Sequence, residues 1–177
     1  MGDTFLCWQE AYAVGHLALD LEHRRLVALI NDISGVRATA DGPKSLLDLS
    51  NAFYLASLEH FRHENSVMRD LIVGAYLLPG AGAPRVAIRE AAINDHRAEH
   101  AQALISLESR LQSFFAGGDR QGLTLASVLR SWFLDHVIKH DAQLKEVFQT
   151  RKDPLGGQPA RGLPQRPGGL PPAQGNC

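Results

Sequence analysis

Proline is scarce through most of this chain, and its placement constrains the fold more than any other feature. The first 150 residues hold only Pro43, Pro79 and Pro84. A proline inside a helix removes a backbone hydrogen bond and clashes with the preceding turn, so these positions leave uninterrupted segments at 44–78 and 85–150. Apolar residues recur at steps of three and four, the period of an amphipathic helix. One stripe is Leu19, His23, Leu26, Ile30, Ile33, and a second is Leu46, Leu49, Phe53, Ala56, His60, Glu64, Val67, Leu71. A third is Ile93, His96, His100, Ala103, Leu107, Leu111, Phe114, and a fourth begins Leu125, Leu129, Trp132, His136. Alternating Val/Ile/Thr runs bounded by hairpin turns are absent. The pattern predicts an all-α fold, an antiparallel up-down four-helix bundle with short connections.

At 177 residues the chain is long enough for one domain and a tail. Residues 1–150 are the predicted bundle domain. Residues 151–177 contain six Pro and six Gly against three large apolar residues, so they are expected to form a disordered tail. A net charge of −1 gives no global field to attract nucleic acid or an anionic membrane. Apolar runs such as Leu71–Val73 are far shorter than the about 20 residues a membrane span needs. Met1 to Glu10 has neither the basic start nor the apolar stretch of a secretory signal, and a cytoplasmic location is expected. Two cysteines, Cys7 and Cys177, argue against a disulfide framework and a Cys-based zinc site. The unusual count is eight histidines.

Each stripe carries a histidine at a position that should face the core. Unpaired imidazoles there would each cost on the order of 1–3 kcal/mol, a difficulty that a shared metal removes. His60 and Glu64 are four residues apart, as are His96 and His100, so each pair projects from one helix face. In an antiparallel hairpin, residues at one height lie equally far from the turn. The midpoint between His23 and the 60/64 pair falls between Gly42 and Pro43. The next two midpoints fall at Pro79-Gly80 and at Gly117-Gly118, so all four groups are predicted at one level. The fourth helix offers two further candidates. His140, four residues after His136, is better placed on an ideal helix; Asp141, five after, lies about 140° around it. Charge favours Asp141. Two divalent ions bring four positive charges, a hydroxide bridge and Glu64 leave two, and Asp141 leaves one.

These residues resemble the haemerythrin family, in its bacterial single-domain form. The first His stands in Leu-Asp-Leu-Glu-His at 19–23, preceded by Trp8, Tyr12, Val14 and Gly15. His-x-x-x-Glu follows at 60–64, His-x-x-x-His at 96–100, and His-x-x-x-x-Asp at 136–141 with Trp132 ahead of it. The resemblance covers about residues 8–148 and implies seven iron ligands: His23, His60, Glu64, His96, His100, His136 and Asp141. It selects Asp141 over His140. It further implies that His96, His100 and His136 hold one iron, and His23 and His60 the other. Glu64, Asp141 and an oxo or hydroxo group bridge the two, leaving one open coordination position on the second iron.

Two departures stand out: a long interval between Glu64 and His96, implying that helices two and three extend past the site, and Asn65 where many members carry an acid. Five imidazoles and two carboxylates offer less anionic charge for high-valent iron than the Glu-rich sets of di-iron oxidases, which points to reversible binding of O2 or another small diatomic ligand. Leu26, Phe61 and Trp132, with Phe133, are the expected walls of that pocket. Of the remaining histidines, His16 is expected at the surface, His63 at a solvated edge with a hydrogen bond near the site as the alternative, and His140 is a candidate partner of the Asp141 carboxylate. Two other functions stay open: an O2 or redox sensor acting through a protein partner, and an enzyme turning over peroxide or nitric oxide.

Overall fold

The computed structural model describes residues 4–37, 41–76, 83–118, 121–142, 144–145 and 148. The expected tail, 151–177, lies outside them. A single 3-10 turn, Glu10–Tyr12, precedes four helices: α1 (Leu17–Ser34), α2 (Gly42–Tyr76), α3 (Ala83–Ala116) and α4 (Gly122–His136). No strand occurs among the described residues. α1 packs on α2 and α4, and α3 on α2 and α4, so the helices close into the expected antiparallel ring. Among the described residues no helix is long and apolar enough to cross a membrane.

The stripes face inward as their spacing requires. Leu19, His23, Leu26, Ile30 and Ile33 are all buried, as are Leu125, Leu129, Trp132 and His136. Ser50 and Ser57, also buried in α2, donate their hydroxyls to the carbonyls of Leu46 and Phe53 at 2.6 and 2.9 Å. α2 and α3 do run beyond the histidine level, twelve residues past Glu64 and thirteen before His96.

Gly42 and Pro43 open α2 instead of forming the turn. Proline is tolerated in the first helical turn because its missing N–H has no partner there. α1 stops at Ser34, so by the same register α2 starts roughly 13 Å beyond its end at 1.5 Å per residue. The start of α4 meets the end of α1 closely: a Cβ on Gly122 would lie 2.1 Å from the Ile33 carbonyl oxygen.

The segment before α1 is tied down along its length. Leu6 and the Asn31 side chain exchange two hydrogen bonds, at 2.8 and 2.9 Å. The Arg24 guanidinium lies 4.1 Å over the Trp8 ring. Gly15 adopts φ +86°, a left-handed turn suited to glycine, and Val14 N–H donates to Asp20 at 2.7 Å across it. This arm brings Tyr12 into the core beside Phe133.

Most of the apolar core lies on one side of the histidine level, in a cluster including Leu26, Phe53, Phe61, Leu129, Trp132 and Phe133. A smaller cluster of Val14, Leu19, Met68, Leu71, Leu144 and Phe148 lies on the other. The polar layer is therefore walled above and below by hydrocarbon.

Candidate metal centre

All seven residues named from the sequence converge, and each is at most 7% exposed. They form two groups in which the ligating atoms lie within 4.8 Å of one another. One is Glu64, His96, His100, His136 and Asp141; the other is His23, His60 and Asp141. Asp141 is shared, and its two oxygens divide the work. Oδ1 lies 2.9 Å from His136 Nε2 and 3.6 Å from His96 Nε2. Oδ2 lies 3.2 Å from His23 Nε2 and 3.9 Å from His60 Nε2. Glu64 closes the other flank: Oε1 is 3.7 Å from His96, and Oε2 is 3.1 Å from His100 and 3.5 Å from His60.

The backbone accounts for Asp141. After His136 the chain enters a π-helical turn, Val137–Asp141. Hydrogen bonds spanning five residues bring positions i and i+5 onto one face, so the spacing that disfavours Asp141 on an ideal α-helix suits it here. His140 projects elsewhere: its ring stacks on that of His136 at 5.4 Å, and its Nε2 lies 3.9 Å from Glu99.

The inward-facing atoms have unmet demands. Both oxygens of Glu64 and of Asp141, and Nε2 of His96, His100 and His136, are buried without a hydrogen bond of good geometry. Orphaned buried acceptors at this density are costly, on the order of 1–3 kcal/mol each, unless a cation satisfies them together. Imidazole and carboxylate donors at this separation fit a pair of transition-metal ions.

Outer contacts hold the rings in place. His23 Nδ1 donates to the Tyr12 carbonyl at 2.7 Å, leaving Nε2 to face the cluster. His60 Nδ1 donates to Glu22 at 3.0 Å, and the other oxygen of Glu22 takes a bond from His63 at 2.7 Å. His100 Nδ1 donates to Asn65 Oδ1 at 3.1 Å, so the amide that departs from the family pattern supports a ring directly. His63 thus stands at a half-exposed edge and also bonds the carboxylate that holds His60, so both readings of it from the sequence apply. Glu22 was not singled out from the sequence, although the register that levels His23 with the 60/64 pair also levels Glu22 with His63. His16 is partly buried, its ring 5.3 Å from Phe148.

The charges follow from these contacts. Burial and the neighbouring Asp141 oppose ionisation of Glu64, but His100, His96 and His60 outweigh them and hold its carboxyl at about 2. Burial likewise opposes an ionised Asp141, and His136, His23 and His60 press it well below the usual range. Burial disfavours a charged His60, yet Asp141, Glu22 and Glu64 raise its imidazole to about 10. For His100 burial prevails and pushes the ring down.

Of the expected pocket walls, Phe61 lies flat on His100, 4.2 Å between ring centres, and 4.6 and 5.6 Å from His136 and His60. Trp132 stacks on His136 at 6.3 Å, and its indole N–H donates to the Ala103 carbonyl at 2.9 Å. Phe133 stands 6.0 Å from His23, and Leu26 is buried in the same cluster. The walls therefore border both groups.

No curated protein matches the chain. The family model of the hemerythrin HHE cation-binding domain matches residues 15–148, a span containing all four helices and all seven converging side chains. With the bundle, the buried cation-binding cluster and this match in agreement, the chain belongs to the haemerythrin family.

Proposed function

We propose that this is a non-haem di-iron protein that binds O2 reversibly and is not primarily an enzyme. The observation that carries the reading is the division of buried donors, three imidazoles against two, with Asp141 reaching both groups. His96, His100 and His136 would hold one iron and His23 and His60 the other, with Glu64 and Asp141 reaching both. Bound there, the iron pair would supply the electrons that a diatomic ligand takes up on binding and returns on release.

The chain's own part is orientation, charge and exclusion of water. The Tyr12 carbonyl and Glu22 fix the tautomers of His23 and His60 so that Nε2 faces inward. Glu64 and Asp141 stay ionised at neutral pH and offset cationic charge in a low-dielectric interior. Leu26, Phe61 and Trp132 are 2%, 2% and 5% exposed and form apolar walls, Trp132 also bordering the cleft between α3 and α4. Excluding water and protons suppresses the irreversible oxidation that would end cycling.

The test is iron content with optical spectra of the reduced protein under argon, after air, and under argon again. A visible band that appears with air and vanishes under argon over several cycles is expected. Leu26→Ser should keep its iron yet convert faster to a form that no longer responds to O2. A band that never reverses overturns reversible binding. Sustained consumption of O2 or peroxide with a reductant, at roughly 1 per second or more, places the protein among enzymes. A Glu64→Ala variant that keeps both irons and an unchanged spectrum overturns the ligand assignment.

A further inference from the structure

The seven donors are at most 7% exposed, so an ion reaching them must first leave water at some point on the surface. A cleft of about 170 Å³ between α3 and α4 borders the cluster, with His136 belonging both to its lining and to the larger ligand group. On its outer side stand His140 and Glu99, 27% and 50% exposed, with Nε2 and Oε2 3.9 Å apart. We propose that this cleft is where divalent metal is first captured on its way to the centre, with His140 and Glu99 as transient ligands. The proposal rests on the reading of the buried cluster as a metal centre.

Three observations support it. The His140 ring is 5.4 Å from that of His136 and 6.3 Å from that of His96, so a cation held there is one ring removed from two buried donors. The charges in the cleft are separated along its length. Arg110 lies eleven residues along α3 from Glu99, a backbone rise of roughly 16 Å at 1.5 Å per residue, and its guanidinium turns back to Ser106, about seven residues from Glu99, with Asp135 within reach of its charge. Asp135, also in the lining, is paired with Lys139. The Glu99 end is thus the end that attracts a cation, next to His96 and His136.

The donor number fits transit. One imidazole and one exposed carboxylate replace only part of an ion's water shell, so they hold it briefly and release it to the richer set behind. O2 would gain nothing from such donors, whereas a hydrated cation exchanges one oxygen ligand for another as it enters.

The experiment is a stopped-flow measurement of Co2+ uptake by the metal-free full chain, followed by the visible absorbance of cobalt in the buried site. Cobalt content at the end point is measured separately, and the helical circular-dichroism signal checks folding. His140→Ala/Glu99→Gln should slow uptake about tenfold and flatten its salt dependence, the scale at which a charged cleft raises association rates. Its final cobalt content should equal that of the parent. Glu59→Gln, on the exposed Arg25 pair, should load at the parent rate. Unchanged uptake in the double variant overturns the proposal, as does a lower final content, which would make His140 a resident ligand. If the parent chain itself takes up no cobalt, the metal-centre reading fails and takes the proposal with it.

Discussion

His23 and His60 are 0% and 1% exposed, whereas His96 and His136 reach 7% and 5%, and His136 borders the α3–α4 cleft. The half of the centre with fewer imidazoles is thus the one more completely enclosed by protein. It is also the more firmly braced: His23 against a backbone carbonyl, His60 against the Glu22 carboxylate. The larger half has the neutral Asn65 amide on His100. On the proposed reading, a position left open in the smaller half would face the rings of Phe133 and Phe61, 6.0 and 5.6 Å from those of His23 and His60. The richer half lies nearer the surface, with His96 and His136 the most exposed of the seven donors.

The sharpest break of this comparison is Asp141→Ala, because among the described residues Asp141 gives one oxygen to each group, Oδ1 to His136 and Oδ2 to His23. It should empty both halves, taking metal from about two per chain to near zero and lowering the melting temperature with it, since binding is coupled to folding. His23→Ala should empty the smaller half alone. Elemental analysis after desalting distinguishes them. An Asp141→Ala protein retaining one tightly held ion would show that the larger half stands without the shared carboxylate.

Why Asp141 was hard to place from the sequence, and the helices were not, has a physical basis. Hydrophobic stripes are averages over many turns, so Leu19 to Ile33 or Leu125 to His136 report the buried face even if one position is ambiguous. The π-helical turn at Val137–Asp141 is a single local event with no periodic signature. Spacing alone therefore preferred His140, and only charge and the family resemblance pointed to Asp141. The connection before α2 was misread because Gly-Pro signals a turn and also suits a first helical turn. Contacts such as Asn65 to His100 depend on rotamers as well as register. Glu22 opposite His63 was the exception, legible from the hairpin midpoint.

Acidity separates the halves next. In the metal-free chain His60, held at about 10, contributes stability that is fully present below its unfolded value near 6.5 and is lost as pH rises through 10. Glu64, held at about 2, contributes stability present above its unfolded value near 4.3 and lost as pH falls through 2. Metal-free stability should therefore be greatest between about pH 4.5 and 6.5. Metal must displace the His60 proton, held to about 10; in the larger half burial already favours neutral His100, while at His96 burial is outweighed by Glu64 and Asp141, which raise the ring by less. The larger half should then fill at lower pH than the smaller, giving two steps in a titration of bound cobalt against pH. A single step shared by both halves would remove the distinction.

A mechanical test follows at the seam between α1 and α4, which the contact of Asp141 with His23 crosses at 3.2 Å. A Cβ at Gly122 meets the Ile33 and Val36 carbonyl oxygens at 2.1 and 2.7 Å, both backbone atoms unable to swing aside. Gly122→Ala should cost about 1–3 kcal/mol by denaturant unfolding, the range for overpacking. It should loosen metal in the smaller half before the larger. Parent-like stability would mean that the two helices part easily and that the seam does not brace the centre.

The smallest effect expected comes from exchanging the outer supports. Glu22→Gln keeps an acceptor for His60 Nδ1 but removes the charge, while Asn65→Asp adds a charge beside His100. Outer partners of metal-bound imidazoles typically change affinity by about tenfold or more when altered. Glu22→Gln should therefore weaken retention in the smaller half by about that factor and leave the larger half as it was. Asn65→Asp should tighten the larger half, since a carboxylate raises the basicity of the ring it holds. Chelator competition on each variant, repeated with His23→Ala so that only the larger half contributes, assigns each change to its half. Equal effects of Glu22→Gln on both halves would mean that its charge acts through space on the whole centre, and the bracing of His60 would then not explain why the two halves differ.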